Sequence, residues 1–179
     1  MHSDIKEILF SKKDLENKIS ELGKKITSDY KDKSPVLISI LKGGIVFVAD
    51  LMRKIDLKLE IDFLGVASYG SSTKSSGVVE ITKDCKVDLH GKDVLIIEDI
   101  IDTGLSLQYI IDTLKRKNPN SIKVCVLLDK IDAHKIDVPV KYAGFTIPDE
   151  FVVGYGLDYS EKYRNLPYIG ILKKEIYQK

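Results

Sequence analysis

The sequence lacks the features that would send it to a membrane, to nucleic acid or to an oxidising compartment. No apolar run approaches the ~20 residues of a membrane span. Met1 to Phe10 mixes His2, Asp4, Lys6 and Glu7 where a secretory leader would be apolar. Charge of one sign is missing, since 28 basic and 27 acidic residues leave a formal net charge of +1. The charges interleave, as in Lys12, Lys13, Asp14, Glu16 and Lys18, so no basic face for nucleic acid is expected. Two cysteines give no disulfide framework, with Cys125 inside the apolar run Val124 to Leu128 and Cys85 in a distant polar connection. The three histidines, His2, His90 and His134, have no metal-ligand spacing. Also absent is the Gly-x-x-x-x-Gly-Lys-Ser/Thr loop of nucleotide hydrolases. These absences predict a cytoplasmic protein with neither a nucleic-acid nor a membrane partner.

What is present suits one α/β domain: 179 residues, 44% of them hydrophobic and 31% charged, with no internal repeat and no linker. Ser11 precedes a helical stripe of Leu15, Ile19, Leu22, Ile26 and Tyr30, with Asp14 placed for a capping box. Val36 to Leu41 predicts a buried strand, and Ile45 to Lys54 a helix. Leu57, Leu59, Ile61 and Phe63 alternate with Lys58, Glu60 and Asp62, which predicts a strand with one wet face. Val94 to Ile97 predicts a strand buried on both faces that stops at the acids Glu98 and Asp99. A helix begun by Ser106 follows, carrying Leu107, Ile110, Ile111 and Leu114, and Asn118-Pro119-Asn120 ends it. Ile122 to Leu128 predicts another buried strand. From Tyr142 onward the short, turn-rich pieces predict a small irregular lobe with a last strand at Ile169 to Leu172, and the Lys173 to Lys179 tail carries no signal.

The chemistry concentrates after Val94. Glu98 and Asp99 fall at the carboxyl end of a buried strand, the edge where open α/β sheets bind ligands. Asp102, Thr103, Gly104 and Ser106 then lead into a helix, where Gly104 permits positive φ and backbone amides can close on phosphate. Carboxylates beside phosphate repel it unless a divalent cation or sugar hydroxyls intervene. The stretch therefore asks for a phosphorylated sugar with magnesium. Read by themselves, the acids could merely cap a strand, Lys42-Gly43-Gly44 could be a plain strand-to-helix turn, and Ser68 to Gly77 a bare hairpin tip. By the same standard Phe151 is core, and Lys130 and Arg164 are surface charges.

Val94 to Ser106 nevertheless resembles the phosphoribosyl-pyrophosphate (PRPP) loop of the type I phosphoribosyltransferases, and Glu-Asp-Ile-Ile-Asp-Thr-Gly is similar to that of their hypoxanthine-guanine branch. The resemblance runs from about Val36 to Leu172. It implies a mostly parallel twisted sheet flanked by helices (core about 36–146) with a small hood lobe (about 147–179, with the N-terminal segment). It implies that Glu98 and Asp99 hold the ribose hydroxyls and, with Asp158, order Mg2+. Asp102, Thr103, Gly104, Leu105 and Ser106 would grip the 5-phosphate, Ser106 standing where many relatives carry threonine. Asp102 would also be the acid-base group at purine N7.

Lys42 and Gly43, after a cis peptide at Leu41–Lys42, would face pyrophosphate together with Arg164. The segment Phe151 to Tyr159 is close to the family's hood over the base: Phe151 would stack on the purine, Val152 would offer backbone groups to its edge, and Asp158 would stand beside it near the pyrophosphate. Lys130 would read the 6-oxo group, and Ser68-Tyr69 would begin a lid. The implied reaction takes PRPP and hypoxanthine or guanine to IMP or GMP and pyrophosphate, a purine-salvage step, in a homo-oligomer (dimer or tetramer). Two alternatives stand beside it: a phosphoribosyltransferase for xanthine or a pyrimidine, and a non-catalytic PRPP-sensing regulator. Asp102, Lys130 and Arg164, and the lack of a helix-turn-helix extension, weigh against the regulator.

Overall fold

In the computed structural model, which describes residues 2–68 and 79–178, the chain runs β1 (Ile5–Phe10), α1 (Lys12–Asp29), β2 (Val36–Leu41), α2 (Gly44–Met52), β3 (Glu60–Ser68), β4 (Val79–Lys83), β5 (Asp93–Ile101), α3 (Leu105–Lys115), β6 (Ser121–Asp129), a 3-10 turn (Ile131–Ala133), β7 (Val140–Thr146), β8 (Val152–Val153), β9 (Ile169–Leu172) and α4 (Lys174–Tyr177). Six strands form one sheet in the order β4-β3-β2-β5-β6-β7, and three form a second in the order β1-β9-β8. In the large sheet β4 runs antiparallel to β3, and β2–β3, β2–β5, β5–β6 and β6–β7 pair in parallel.

Both faces of the large sheet are covered, which is why its central strands read as unbroken apolar runs. Leu37, Leu95, Ile97, Cys125 and Leu127 pack with α1 and α2, while Val36, Ile38, Val94, Ile96, Val124 and Val126 pack with α3. Helix α1 starts as its sequence predicts. The Ser11 amide donates to Asp14 Oδ2 at 2.9 Å and the Asp14 amide to Ser11 Oγ at 3.3 Å, a reciprocal cap of a kind that contributes about 1 kcal/mol. Leu15, Ile19, Leu22 and Ile26 are all buried, and full burial of such side chains stabilises by about 1.5–3 kcal/mol each.

Several expectations are corrected by pairing between distant segments. Strand β5 does not stop at the acids but continues through Glu98 and Asp99 to Ile101, because β6 keeps pairing with it as far as Asp129. Strand β3 begins at Glu60 rather than Leu57, and Asp62 is not on a wet face: it accepts backbone amides from Phe63 and Val87 at 2.7 and 3.0 Å. Tyr142 and Phe145 belong to β7 of the large sheet, not to the small lobe. Helix α3 begins at Leu105 after Gly104 and ends at Lys115, before Asn118. The polar N-terminal segment supplies β1, whose partner is β9.

The feature that positions the site is a parting of strands. Pairing of β2 with β5 ends at Ser39–Ile97, whereas β5 and β6 stay together to Ile101–Asp129. The cleft so opened lies at the carboxyl edge of the sheet, and Val152 of β8 and Phe151 just before it share a cavity there with Lys42 and Asp99. Among the described residues no helix is long and apolar enough to cross a membrane.

Candidate active site

Two cavities meet at this edge. One, of about 240 Å³, is bounded by Glu98, Asp102, Thr103, Gly104 and Ser106. The other, of about 330 Å³, is bounded by Lys42, Gly43, Asp99, Lys130, Phe151, Val152, Asp158 and Arg164. Asp102 and Ile100 line both. Successive strand residues face opposite sides, so neighbouring Glu98 and Asp99 serve different cavities. Leu105, the first residue of α3, borders neither. Ser68 ends β3 opposite Val79, and Tyr69 lies outside the described residues.

The turn after β5 has the conformation its sequence predicts. Gly104 takes φ +82° at the N-cap of α3, a conformation open to glycine at no steric cost. The connection after β6 braces it, the Lys135 amide donating to the Thr103 carbonyl at 3.0 Å. On the other side of the cleft, the Leu41–Lys42 peptide is cis. Gly43 approaches the acidic strand so closely that a Cβ there would overlap the Asp99 carboxylate.

Charge in the site is unevenly satisfied. Burial first, and the Asp99 charge second, push the Glu98 carboxyl well above its ordinary range. Burial likewise raises Asp99, although the Ile100 amide donates to its Oδ1 at 2.8 Å. Glu98 Oε2 is buried with no hydrogen-bond partner among the described residues. Among the cations, Lys130 is buried and donates to Asp149 at 2.9 Å. Arg164 Nη1 donates to the Gly156 carbonyl at 2.8 Å, and its Nη2 lies 2.8 Å from Asp158 Oδ1. Phe151 stacks on Tyr177, with ring centroids 4.8 Å apart, and meets Tyr159 edge-on.

A phosphoribosyl transferase domain profile matches residues 7–160. The chain belongs to that family. It is 50% identical over 178 residues to the hypoxanthine-guanine phosphoribosyltransferase of Bacillus subtilis, covering 99% of each chain. It is also 50% identical over 177 residues to the bifunctional protein TilS/HprT of Listeria monocytogenes, and there it spans 99% of itself but 27% of the relative's length. A crystal structure of a hypoxanthine phosphoribosyltransferase from Staphylococcus aureus superposes with a TM-score of 0.95 at 50% identity, covering 100% of this chain and 97% of that one. The α/β sheet with its covered faces is the type I phosphoribosyltransferase fold.

Phosphoribosyltransferases of this type imply magnesium, and the donor set fits an ion held mainly by substrate. Among the described residues no group of three or more His, Cys, Asp or Glu could enclose a metal. Glu98 and Asp99 do offer two adjacent carboxylates, one with an unpartnered buried oxygen. Magnesium commonly uses one or two carboxylates, with phosphate and water completing its shell.

Sequence reasoning missed three neighbours of the site: Asp149, which orients Lys130; Tyr177, which backs Phe151 from the unread tail; and Glu161, which meets both Lys42 and Arg164. Asp149 and Glu161 are surface acids by sequence, and no local pattern marks them. An aromatic in a polar tail, Tyr177, is the kind of residue that could have drawn attention to that segment.

Proposed function

We propose that this phosphoribosyltransferase moves the 5-phosphoribosyl group of PRPP to N9 of hypoxanthine or guanine, releasing pyrophosphate and IMP or GMP, as a purine-salvage enzyme of the cytoplasm. The observation that carries this reading is Asp102 on the wall shared by the two cavities. One cavity is bounded by the Asp102–Ser106 turn at the head of α3, and the other by an aromatic, a buried lysine and an arginine. A ligand that is a sugar phosphate on one side and a base or pyrophosphate on the other fits that pairing.

Binding begins with the 5-phosphate against the Asp102–Ser106 turn at the head of α3, where backbone N–H groups favour an anion. Glu98 and Asp99 accept the ribose hydroxyls, which suits carboxylates whose burial is not otherwise compensated. The purine lies against Phe151, with Lys130 donating to the 6-oxo oxygen and Val152 backbone groups at its edge. Lys130 held by Asp149 is a fixed donor, and it favours an oxo group over an amino group.

As N9 attacks C1 of the ribose, the bond from C1 to the pyrophosphate oxygen breaks, and the proton on N7 passes to Asp102. The leaving negative charge is met by Lys42, the Gly43 turn and Arg164, whose planar guanidinium suits phosphate oxygens. Magnesium would be held by the Glu98–Asp99 pair on the ribose side or by Asp158 on the pyrophosphate side, with PRPP oxygens completing its shell, and would neutralise pyrophosphate charge. Holding base and ribose at attack distance removes much of the entropic part of the barrier.

A homo-oligomer accompanies this reading. Ile45, Ala49 and Met52 share one face of α2, and Ile45 and Met52 are exposed. A second copy would cover that stripe, which sedimentation at varied protein concentration tests.

The assay that decides the function is pyrophosphate release with magnesium and PRPP, offered hypoxanthine, guanine, xanthine, adenine and uracil separately. Turnover with hypoxanthine or guanine is expected. Turnover confined to xanthine or uracil would reassign the base, and PRPP binding with no turnover would make the chain a regulator.

A further inference from the structure

The two cations assigned to pyrophosphate are already engaged by one carboxylate oxygen. Lys42 Nζ donates to Glu161 Oε2 at 3.0 Å, and Arg164 Nη2 lies 3.4 Å from the same atom. An anionic oxygen therefore stands between two positive charges, the place a pyrophosphate oxygen needs. The Glu161 carboxyl is held below its usual range, mainly by the Lys42 hydrogen bond.

The backbone adds an independent observation. Tyr159 and Lys162 close a two-residue turn by reciprocal backbone hydrogen bonds of 3.2 and 3.1 Å. Both central residues have positive φ, Ser160 at 50° and Glu161 at 62°. Turns of this kind favour glycine, asparagine and aspartate. Glutamate is not what the turn selects, so its side chain needs another reason to be there. The Glu161 amide is tied to Asp158 Oδ2 at 2.9 Å, whereas its side chain is 64% exposed. The residue is anchored by its backbone and displaceable at its carboxylate.

We propose that Glu161 is a built-in competitor for pyrophosphate. Its carboxylate neutralises Lys42 and shares Arg164 with the closer Asp158 in the free enzyme, gives way when PRPP binds, and returns to the cations as pyrophosphate leaves. Glu161 is thus a positioning residue that sets affinity for the leaving group. The inference rests on the assignment of Lys42 and Arg164 to pyrophosphate.

Exposed ion pairs are individually weak, so the competition is one that a multiply charged ligand wins. Removing it should tighten pyrophosphate binding by about three- to tenfold. The test is calorimetric titration of the whole chain with magnesium pyrophosphate, comparing the unaltered protein with Glu161→Gln and Glu161→Asn. The second substitution suits the left-handed turn and so protects the fold while removing the charge.

Tighter pyrophosphate binding in both variants, with a lower KM for PRPP and no rise in kcat, is expected. Equal or weaker binding in the variants, with the unaltered protein binding normally, overturns the inference and would make Glu161 an orienter of the cations. If the unaltered protein binds no pyrophosphate at all, the cation assignment falls and this inference with it.

Discussion

Asp62 and the Glu98–Asp99 pair lie in the same sheet on strands separated by β2, and their surroundings treat them in opposite ways. Burial would raise Asp62, but amides of Phe63, Val87 and Lys86, with Lys83, outweigh it and bring its pKa down to about 2. Glu98 and Asp99 are buried without comparable relief and are pushed up. One acid is finished by the fold, pinning the connection into β5. The other two go without that compensation. A carboxylate compensated by its own chain holds structure together, while one that burial leaves exposed to its neighbour's charge marks where chemistry enters.

The largest effect belongs to the open edge. Asp102→Asn should slow nucleotide formation by about a hundredfold or more, while the KM for PRPP moves little, because the amide still hydrogen-bonds but takes no full proton. Steady-state kinetics in the forward direction decides this, and near-normal turnover would remove Asp102 from proton transfer.

How far this edge could be read from the chain depended on whether local pattern carries the information. The strands Val36–Leu41 and Ile169–Leu172 have the bounds their apolar runs predict, and Ser11 with Asp14 makes the expected cap. The turn from Asp102 to Ser106 was legible because Gly104, the residue that tolerates positive φ, marks the N-cap of α3 locally. The extension of β5 through Glu98 and Asp99 was not, since acids read as a strand's end and only the partner β6 keeps them in register. Strand β1 was hidden for a like reason: Lys6 and Glu7 are exposed, and pairing with β9 makes the segment a strand. Lys130 read as solvated because its partner, Asp149, is distant in sequence.

A smaller effect would sharpen the contrast between finished and unfinished acids. Glu98→Gln should stabilise the free protein by about 1 kcal/mol, since a neutral amide is cheaper to bury than a carboxylate beside another. The same change should weaken PRPP binding about tenfold, or about 1.4 kcal/mol. Thermal melts and PRPP titration read the two quantities, and a variant that melts earlier would show that Glu98 is satisfied by the fold after all.

Asp62→Asn is the converse and the mildest. It should cost about 1–2 kcal/mol of stability, the loss of charge-assisted backbone hydrogen bonds discounted for partial solvent screening, and leave PRPP binding unchanged. Because the folded pKa is depressed from 3.8 to about 2, the unfolded chain binds more protons in that interval. Stability from this group is therefore full above pH 3.8 and is lost as pH falls toward 2. Urea unfolding across that interval should show a steeper loss for the unaltered protein than for Asp62→Asn; parallel curves would place the acid sensitivity elsewhere.

The pairing of β1 with β9 has a consequence in time. The Asp102–Ser106 turn and the sheet that carries it are all translated before Ile169 exists, but Ile5 to Phe10 have no strand partner until Ile169 to Leu172 emerge. At a ribosomal pace of ~5–20 residues per second, that interval is about 10–30 s. The large sheet, complete at Thr146, is by contrast translated only about 1–5 s before the strand that closes the small one.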